Sequence, residues 1–347
     1  MNNDKKKILA IDLGFSSCKI ALKDQWGSLT FDRIINCTAQ LDPNNIQETD
    51  DESVFRFLDN YYALGVPALK MPRSSQIDLQ TFEDLLNIYP IWLSYIVKKY
   101  GEGRGFDNFE KIAIGLSPGF ADRSDELLNH LYDSLLFPPD KRDLFIILPQ
   151  GVIAKKALEK YNLSLRDTDA ANRNATKLKN YIIMDSGFLT TDFATVIGGK
   201  SSMSGAKGIP NSGCITICHK IVDYIYQQFS GLKLTLKEAM EVMESGVYIR
   251  RRVSYPMQEQ VKQFSIEWIA DTLNLLETHF GDELDRVEGV YWLGGGAHIY
   301  SNLKDDPEVI KEVTKHFPQN FLITSDTDQE QYNAVAYLTT IEEMLGK

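Results

Sequence analysis

Short apolar runs that break off into Asp-x-Gly set the pattern of this chain. Ile8 to Ile11 leads into Asp12-Leu13-Gly14-Phe15-Ser16-Ser17-Cys18-Lys19-Ile20-Ala21. Tyr181 to Met184 leads into Asp185-Ser186-Gly187-Phe188-Leu189-Thr190-Thr191-Asp192-Phe193-Ala194. Asp, Gly, Phe, a hydroxyl residue and Ala recur in register at an offset of 173 residues (185 − 12), half of the 347-residue chain. The repetition implies two related domains, each offering a tight turn of small residues to a shared ligand between them.

The remaining apolar runs predict strands over 7–13, 18–23 and 28–35, with Asp24 to Gly27 turning the chain. Residues 36–80 are polar and irregular, with an acidic run at Glu48 to Glu52, and read as an inserted, variable subdomain. A helix over 81–100, a Gly-rich loop, a strand over 110–116, a helix over 123–136, a strand over 143–148 and a helix over 151–160 follow. Residues 162–179 read as a polar loop or link. The second half starts over, with strands over 181–186 and 190–197 and a strand or loop over 200–206. Helices over 212–229, 235–245 and 257–280 come next. A strand over 288–293 then runs into Gly294-Gly295-Gly296 and another helix, and 329–345 is helical. Strand meanders followed by helices, twice over, predict α/β domains with mixed sheets.

Composition narrows the classes. A chain of this length suits two domains, and 43% hydrophobic residues suffice for real cores. The net charge of −11 argues against a dedicated nucleic-acid binder. The polar, basic start is no signal peptide, and no run approaches the length of a membrane span. Four cysteines are no disulfide framework, so a reduced, cytoplasmic protein is expected. Cys214 and Cys218, with His219 beside them, lack further ligands at metal-site spacing and read as small buried residues.

The repeated turns carry the chemistry. Glycine lets backbone approach a phosphate without a Cβ. Hairpin amides then point at phosphate oxygens, and Ser or Thr hydroxyls add donors. A carboxylate needs a mediator there, and Mg²⁺ with retained waters fits. Asp12 and Asp185 are the two carboxylates placed to hold one hydrated Mg²⁺. Lys19 supplies a positive charge for phosphate, and Asp192 occupies its place in the second copy. A third signature, Val290-Tyr291-Trp292-Leu293-Gly294-Gly295-Gly296-Ala297, suits a base or ribose against bare backbone, with phosphate near a helix N-terminus.

Together these segments resemble the actin, Hsp70 and sugar-kinase ATPase superfamily. Its phosphate-1 hairpin resembles Asp12 to Lys19, its phosphate-2 hairpin Asp185 to Asp192, and its adenosine motif Leu293 to Ala297. Its two connecting segments resemble Leu148-Pro149-Gln150-Gly151-Val152-Ile153-Ala154 and Gln331-Tyr332-Asn333-Ala334-Val335-Ala336-Tyr337. Within the superfamily, the length resembles the actin-like proteins of bacteria and archaea, the plasmid-segregating ParM-like group most of all. The resemblance implies two ribonuclease H-like (actin-fold) domains with a nucleotide cleft between them, each with a smaller inserted subdomain. Domain I spans 1–178 with 322–347 and carries the insert 36–108. Domain II spans 179–321, with a helical subdomain over about 212–287. It further implies a cytoplasmic ATPase that forms filaments with ATP and disassembles after hydrolysis, with Mg²⁺ as cofactor and GTP not distinguished from ATP. Its partners are further copies of itself and a DNA-binding adaptor, with no direct nucleic-acid contact and no membrane. Gln150 falls where the family orients the attacking water, in a catalytic set with Asp12, Asp185 and Asp192. Gly14, Ser16, Ser17, Lys19, Gly187, Thr190 and Thr191 fall at the phosphates, and Gly294, Gly295 and Gly296 at the adenosine. Lys237 and Glu238 have two readings: contacts to adenosine, or the first turn of a helix that Thr235 and Glu238 cap.

Two readings compete. A small-molecule kinase of the same superfamily needs a carboxylate base for its acceptor hydroxyl, and Asp122 on a loop is a candidate. A scaffold that binds nucleotide without turnover is disfavoured by the intact Asp12, Asp185, Lys19 and Gln150. Gly115-Leu116-Ser117-Pro118-Gly119 matches a serine-hydrolase elbow, but Pro118 lacks the amide that an oxyanion hole needs. It reads as a strand-end turn. Arg250-Arg251-Arg252, the most basic point of the chain, reads as a solvated surface or as a filament contact.

Overall fold

The structure, a computed structural model, describes residues 6–45, 54–77, 81–137, 139–162, 179–317, 322–325 and 332–346. The acidic run 48–52 and most of the predicted link 162–179 lie outside these residues. The chain divides into two compact units, residues 1–161 with 331–347, and residues 162–330.

The first unit is built on β1 (Lys7–Leu13), β2 (Ser17–Lys23), β3 (Leu29–Ile35), β4 (Thr38–Leu41), β5 (Phe55–Phe57), β6 (Asn60–Leu64), β7 (Gln76–Ile77), β8 (Phe109–Leu116) and β9 (Phe145–Pro149). Its main sheet has the order β3-β2-β1-β8-β9. β1 and β2 pair antiparallel, and β8 and β9 run parallel to β1. All seven residues of β1 are buried, as a central strand covered on both faces requires. Side chains alternate between those faces. Leu9 and Ile11 pack with Tyr89, Trp92 and Ile96 of the helix Phe82–Tyr100. Ile8 and Ala10 pack with Tyr337, Leu338 and Ile341 of the helix Tyr332–Met344. Thr81 and Asp84 close a capping box at the start of the first of these helices.

Residues expected to be irregular form a second sheet, of order β5-β6-β4-β7. Its small core is Cys37, Ala39, Ala63 and Ala68. Small side chains among polar ones give little apolar periodicity, so the sequence does not announce these strands. Trp92 ties this sheet to the large core, its Nε1 donating to Thr38 Oγ1 at 3.0 Å.

The second unit repeats the plan. It contains β10 (Tyr181–Ser186), β11 (Thr190–Ile197), β12 (Lys200–Pro210), β13 (Val247–Arg250), β14 (Val253–Pro256), β15 (Gly289–Leu293) and β16 (Leu322–Ser325). The sheet order β12-β11-β10-β15-β16 matches the first unit strand for strand, with the same antiparallel meander and parallel pair. β16 pairs with β15, so residues 322–325 belong to this sheet, whereas the sequence reading joins them to the C-terminal helix. Ile182 and Met184 pack with Ile221 of the helix Ile215–Gln228 and with Trp268 and Leu273 of the helix Gln258–Leu284. The hairpin β13–β14 and the helix Pro307–His316 are additions that the hydrophobic pattern does not reveal. No described helix is long and apolar enough to cross a membrane.

Candidate functional site

The two repeated segments fold as β-hairpins paired in the same register. Asp12 pairs with Lys19 across β1 and β2, and Asp185 pairs with Asp192 across β10 and β11. The Gly14 amide donates to Ser17 O at 3.0 Å, and the Gly187 amide donates to Thr190 O at 2.9 Å. Among the described residues nothing accepts from the next two amides of either turn, those of Phe15 and Ser16 or of Phe188 and Leu189. Each turn thus carries two amides without an acceptor among the described residues, on a fixed frame, an arrangement suited to an anion. Asn36 fixes the first frame: its Nδ2 donates to Gly14 O at 2.6 Å and its amide to Ser16 O at 3.0 Å. The start of the helix Ile215–Gln228 fixes the second. The amides of Cys214 and Ile215 donate to Gly187 O and Phe188 O at 3.1 and 2.8 Å. Gly213 is required there, because a Cβ would sit 2.5 Å from both of those carbonyl oxygens.

In the first unit Asp12 is the centre of a buried polar group. Its side chain is 2% exposed. Lys19 Nζ lies 3.3 Å from one carboxylate oxygen, and Gln150 Nε2 donates to the other at 2.5 Å. Gln150 follows β9 directly, and its amide continues the pairing with β8 by donating to Leu116 O at 2.8 Å. The Gly151 amide donates to Asn333 Oδ1 at 3.3 Å. Sequence spacing of 138 residues between Asp12 and Gln150 thus resolves into direct contact. Burial, with the Asp12 charge adding to it, holds the Cys18 thiol well above its usual range, so it is an inert neighbour.

In the second unit Asp185 lies against the glycine run. Gly294, at φ +78°, has no room for a Cβ: one would sit 2.3 Å from Asp185 Oδ1 and 2.7 Å from Ser186 O. Gly296 is pinned by Trp268 and Ser186, whereas Gly295 has nothing within 4 Å of its Cβ position. Trp292 Nε1 donates to Ser186 Oγ at 3.1 Å and locks the strand end behind the turn.

Three expected side chains stand differently from their neighbours. Thr191 is fully buried, and its hydroxyl donates to Ser212 O at 3.1 Å, so it braces the hairpin from inside. Ser17 is buried as well, whereas Ser16 is half-exposed on the turn. Glu238 takes the capping role: Glu238 Oε2 accepts from the Thr235 amide at 2.8 Å, and the Glu238 amide donates to Thr235 Oγ1 at 3.2 Å. Lys237 is half-exposed on the same first turn. Thr235→Ala is expected to cost about 1 kcal/mol of stability, read as a lower melting temperature. Cys214 and Cys218 are pushed up to about 12 by burial. No cluster of three or more His, Cys, Asp or Glu side chains placed to hold a metal occurs among the described residues. Ser117 of the hydrolase-like sequence accepts from the Gly119 amide at 3.2 Å and ends a strand, as a turn residue does.

Comparison with known proteins agrees with the fold. Residues 183–305 match the family model of the archaeal actin homologue MreB-like C-terminal domain. The fold is similar to a ParM from Clostridium botulinum solved in a 15-stranded filament, at 15% identity and a TM-score of 0.71, over 98% of this chain and 99% of that one. It is similar to the archaeal actin homolog Ta0583 in complex with ADP, at 14% identity and a TM-score of 0.62, over 97% and 99% of the two chains. MreB 5 of Spiroplasma citri, bound to AMPPNP, matches at 15% identity and a TM-score of 0.62, over 98% and 96%. No curated protein sequence matches. The chain has the actin fold, and the actin-like resemblance drawn from the five motifs is borne out.

Proposed function

We propose that this chain is a cytoplasmic actin-like ATPase that polymerises with Mg-ATP and disassembles after hydrolysis, in the service of plasmid or DNA segregation. The observation that carries this reading is the pair of register-matched hairpins, each with two amides that have no acceptor among the described residues, beside a buried aspartate. The similar structures with bound ADP and AMPPNP, and those solved as filaments, support it.

In this reading the amides of Phe15, Ser16, Phe188 and Leu189 donate to phosphate oxygens, and Lys19 neutralises their charge. Asp12 already engages Lys19 and Gln150, one through each carboxylate oxygen, and keeps further lone pairs for water. Asp12 and Asp185 therefore suit the water shell of Mg²⁺, a cation that keeps several waters beside phosphate. When bound it would spread the negative charge that develops on the phosphates. Gln150 turns its amide from Asp12 to a water in line with the terminal phosphate. An amide orients water without taking its proton outright, so turnover by the monomer is slow. A DNA-binding adaptor, rather than this acidic chain, would touch DNA.

The test is light scattering and pelleting across a protein concentration series, with electron microscopy of the endpoint. Mg-ATP should give filaments above a threshold concentration, and Mg-ADP should raise that threshold. A flat trace in every nucleotide despite nucleotide binding would sink the filament reading.

A further inference from the structure

The hairpin β13–β14 is built against the conformational preference of its own turn. Arg250 pairs with Val253, so Arg251 and Arg252 alone make a two-residue loop. Their φ values are +47° and +68°. Both central residues in the left-handed region define a turn that favours Asn-Gly or Gly-Gly. Among the described residues nothing accounts for arginine at both positions. Among the described residues no carboxylate forms an ion pair with Arg250, Arg251 or Arg252, although the chain carries 48 acidic residues against 37 basic ones. The root of the hairpin is rigid: Tyr248 and Tyr255 pack on Phe229, with ring centroids at 5.2 and 4.8 Å. The outer part is bare, with Ile249 67% and Val253 51% exposed.

The Arg250 guanidinium lies over the Phe229 ring, 6.0 Å from its centroid, which leaves a strained, firmly mounted tip with two guanidinium groups, those of Arg251 and Arg252, beside exposed apolar side chains: a contact element. We propose that it docks onto a carboxylate-bearing surface of a second copy of this chain. The copy carries a net charge of −11, opposite in sign to the tip. Arginine suits carboxylate recognition because its planar fork donates in pairs. The proposal rests on the filament reading and adds the surface that makes the contact.

The turn itself supplies the test. R251N/R252G replaces both arginines with the residues the loop geometry favours, so the variant should melt above wild type. Its critical concentration in Mg-ATP should nevertheless rise about 10-fold, as expected when charged anchors leave an interface. R251K/R252K keeps the charge but gives up the paired donors, so its critical concentration should rise about threefold, less than that of R251N/R252G. Added salt should weaken wild-type assembly more than that of R251N/R252G. Assembly of R251N/R252G at the wild-type critical concentration overturns the proposal. So does loss of binding to double-stranded DNA with assembly intact, which would reassign the tip to a nucleic acid. If wild type forms no filaments in any nucleotide, the filament reading fails, and sedimentation velocity still decides this one. Wild-type dimers that R251N/R252G loses would uphold it, and monomers throughout would overturn it.

Discussion

Asp12→Ala is expected to lower ATP hydrolysis about 1,000-fold, the upper end of what one preorganised electrostatic group contributes at a reacting centre. The carboxylate is buried and touches both Lys19 and Gln150. Its removal takes away the group that aligns the ammonium with the turn and the resting partner from which the Gln150 amide turns to water. Stability should fall as well, by about 1 kcal/mol, because the partly buried Lys19 ammonium and the Gln150 amide both lose a charged acceptor. Asp12→Asn separates the two effects. It keeps the shape and one acceptor for Lys19, so most of the stability should return while turnover stays low for want of the charge. Gln150→Ala leaves the Asp12–Lys19 pair in place and should reduce turnover about 100-fold with little change in melting temperature. Single-turnover hydrolysis and thermal melting of the three variants are the measurements. Wild-type turnover in Asp12→Asn would remove the aspartate from the chemistry.

What the sequence discloses follows from where information is local. The Asp-x-Gly turns are legible because an apolar run, a carboxylate and a glycine fall within a few residues, and repetition rules out chance. The sheet order repeats for the same reason: like strands in like sequence pair alike. The brackets that hold the turns are not local. Asn36 on Gly14, Ser212 on Thr191 and Trp292 on Ser186 lie 22, 21 and 106 residues from their partners. No spacing rule connects them. The four-stranded sheet is hidden because its core is mainly alanine. The β13–β14 turn is hidden because two arginines stand where glycine or asparagine would signal it. The helix Pro307–His316 does carry a signal: Asp306 caps it by accepting from the Glu308 amide at 2.9 Å, and Pro307 follows in the first turn.

The glycine run allows fold and function to be separated by single methyl groups. Gly294→Ala is expected to cost about 3 kcal/mol, from a left-handed φ together with overpacking. The new Cβ would sit 2.3 Å from Asp185 Oδ1 and 2.7 Å from the Ser186 carbonyl oxygen, and backbone cannot swing aside. Asp185 would be driven from the turn, so nucleotide affinity should fall with stability. Gly295→Ala is the informative contrast. Its Cβ meets nothing within 4 Å, and its φ is not left-handed. It opens the helix Gly295–Leu303, where alanine is the better helix former. The variant should melt at or slightly above the wild-type temperature. If nucleotide lies against bare backbone at this turn, the same methyl should weaken ATP binding about 10-fold. Fluorescent-nucleotide titration beside thermal melting reads both quantities. Unchanged affinity in a stable Gly295→Ala protein would leave Gly294 and Gly296 as packing glycines and move the adenosine elsewhere. A stable, weakly binding protein would assign the open glycine to the ligand, since no other atom stands where the methyl goes.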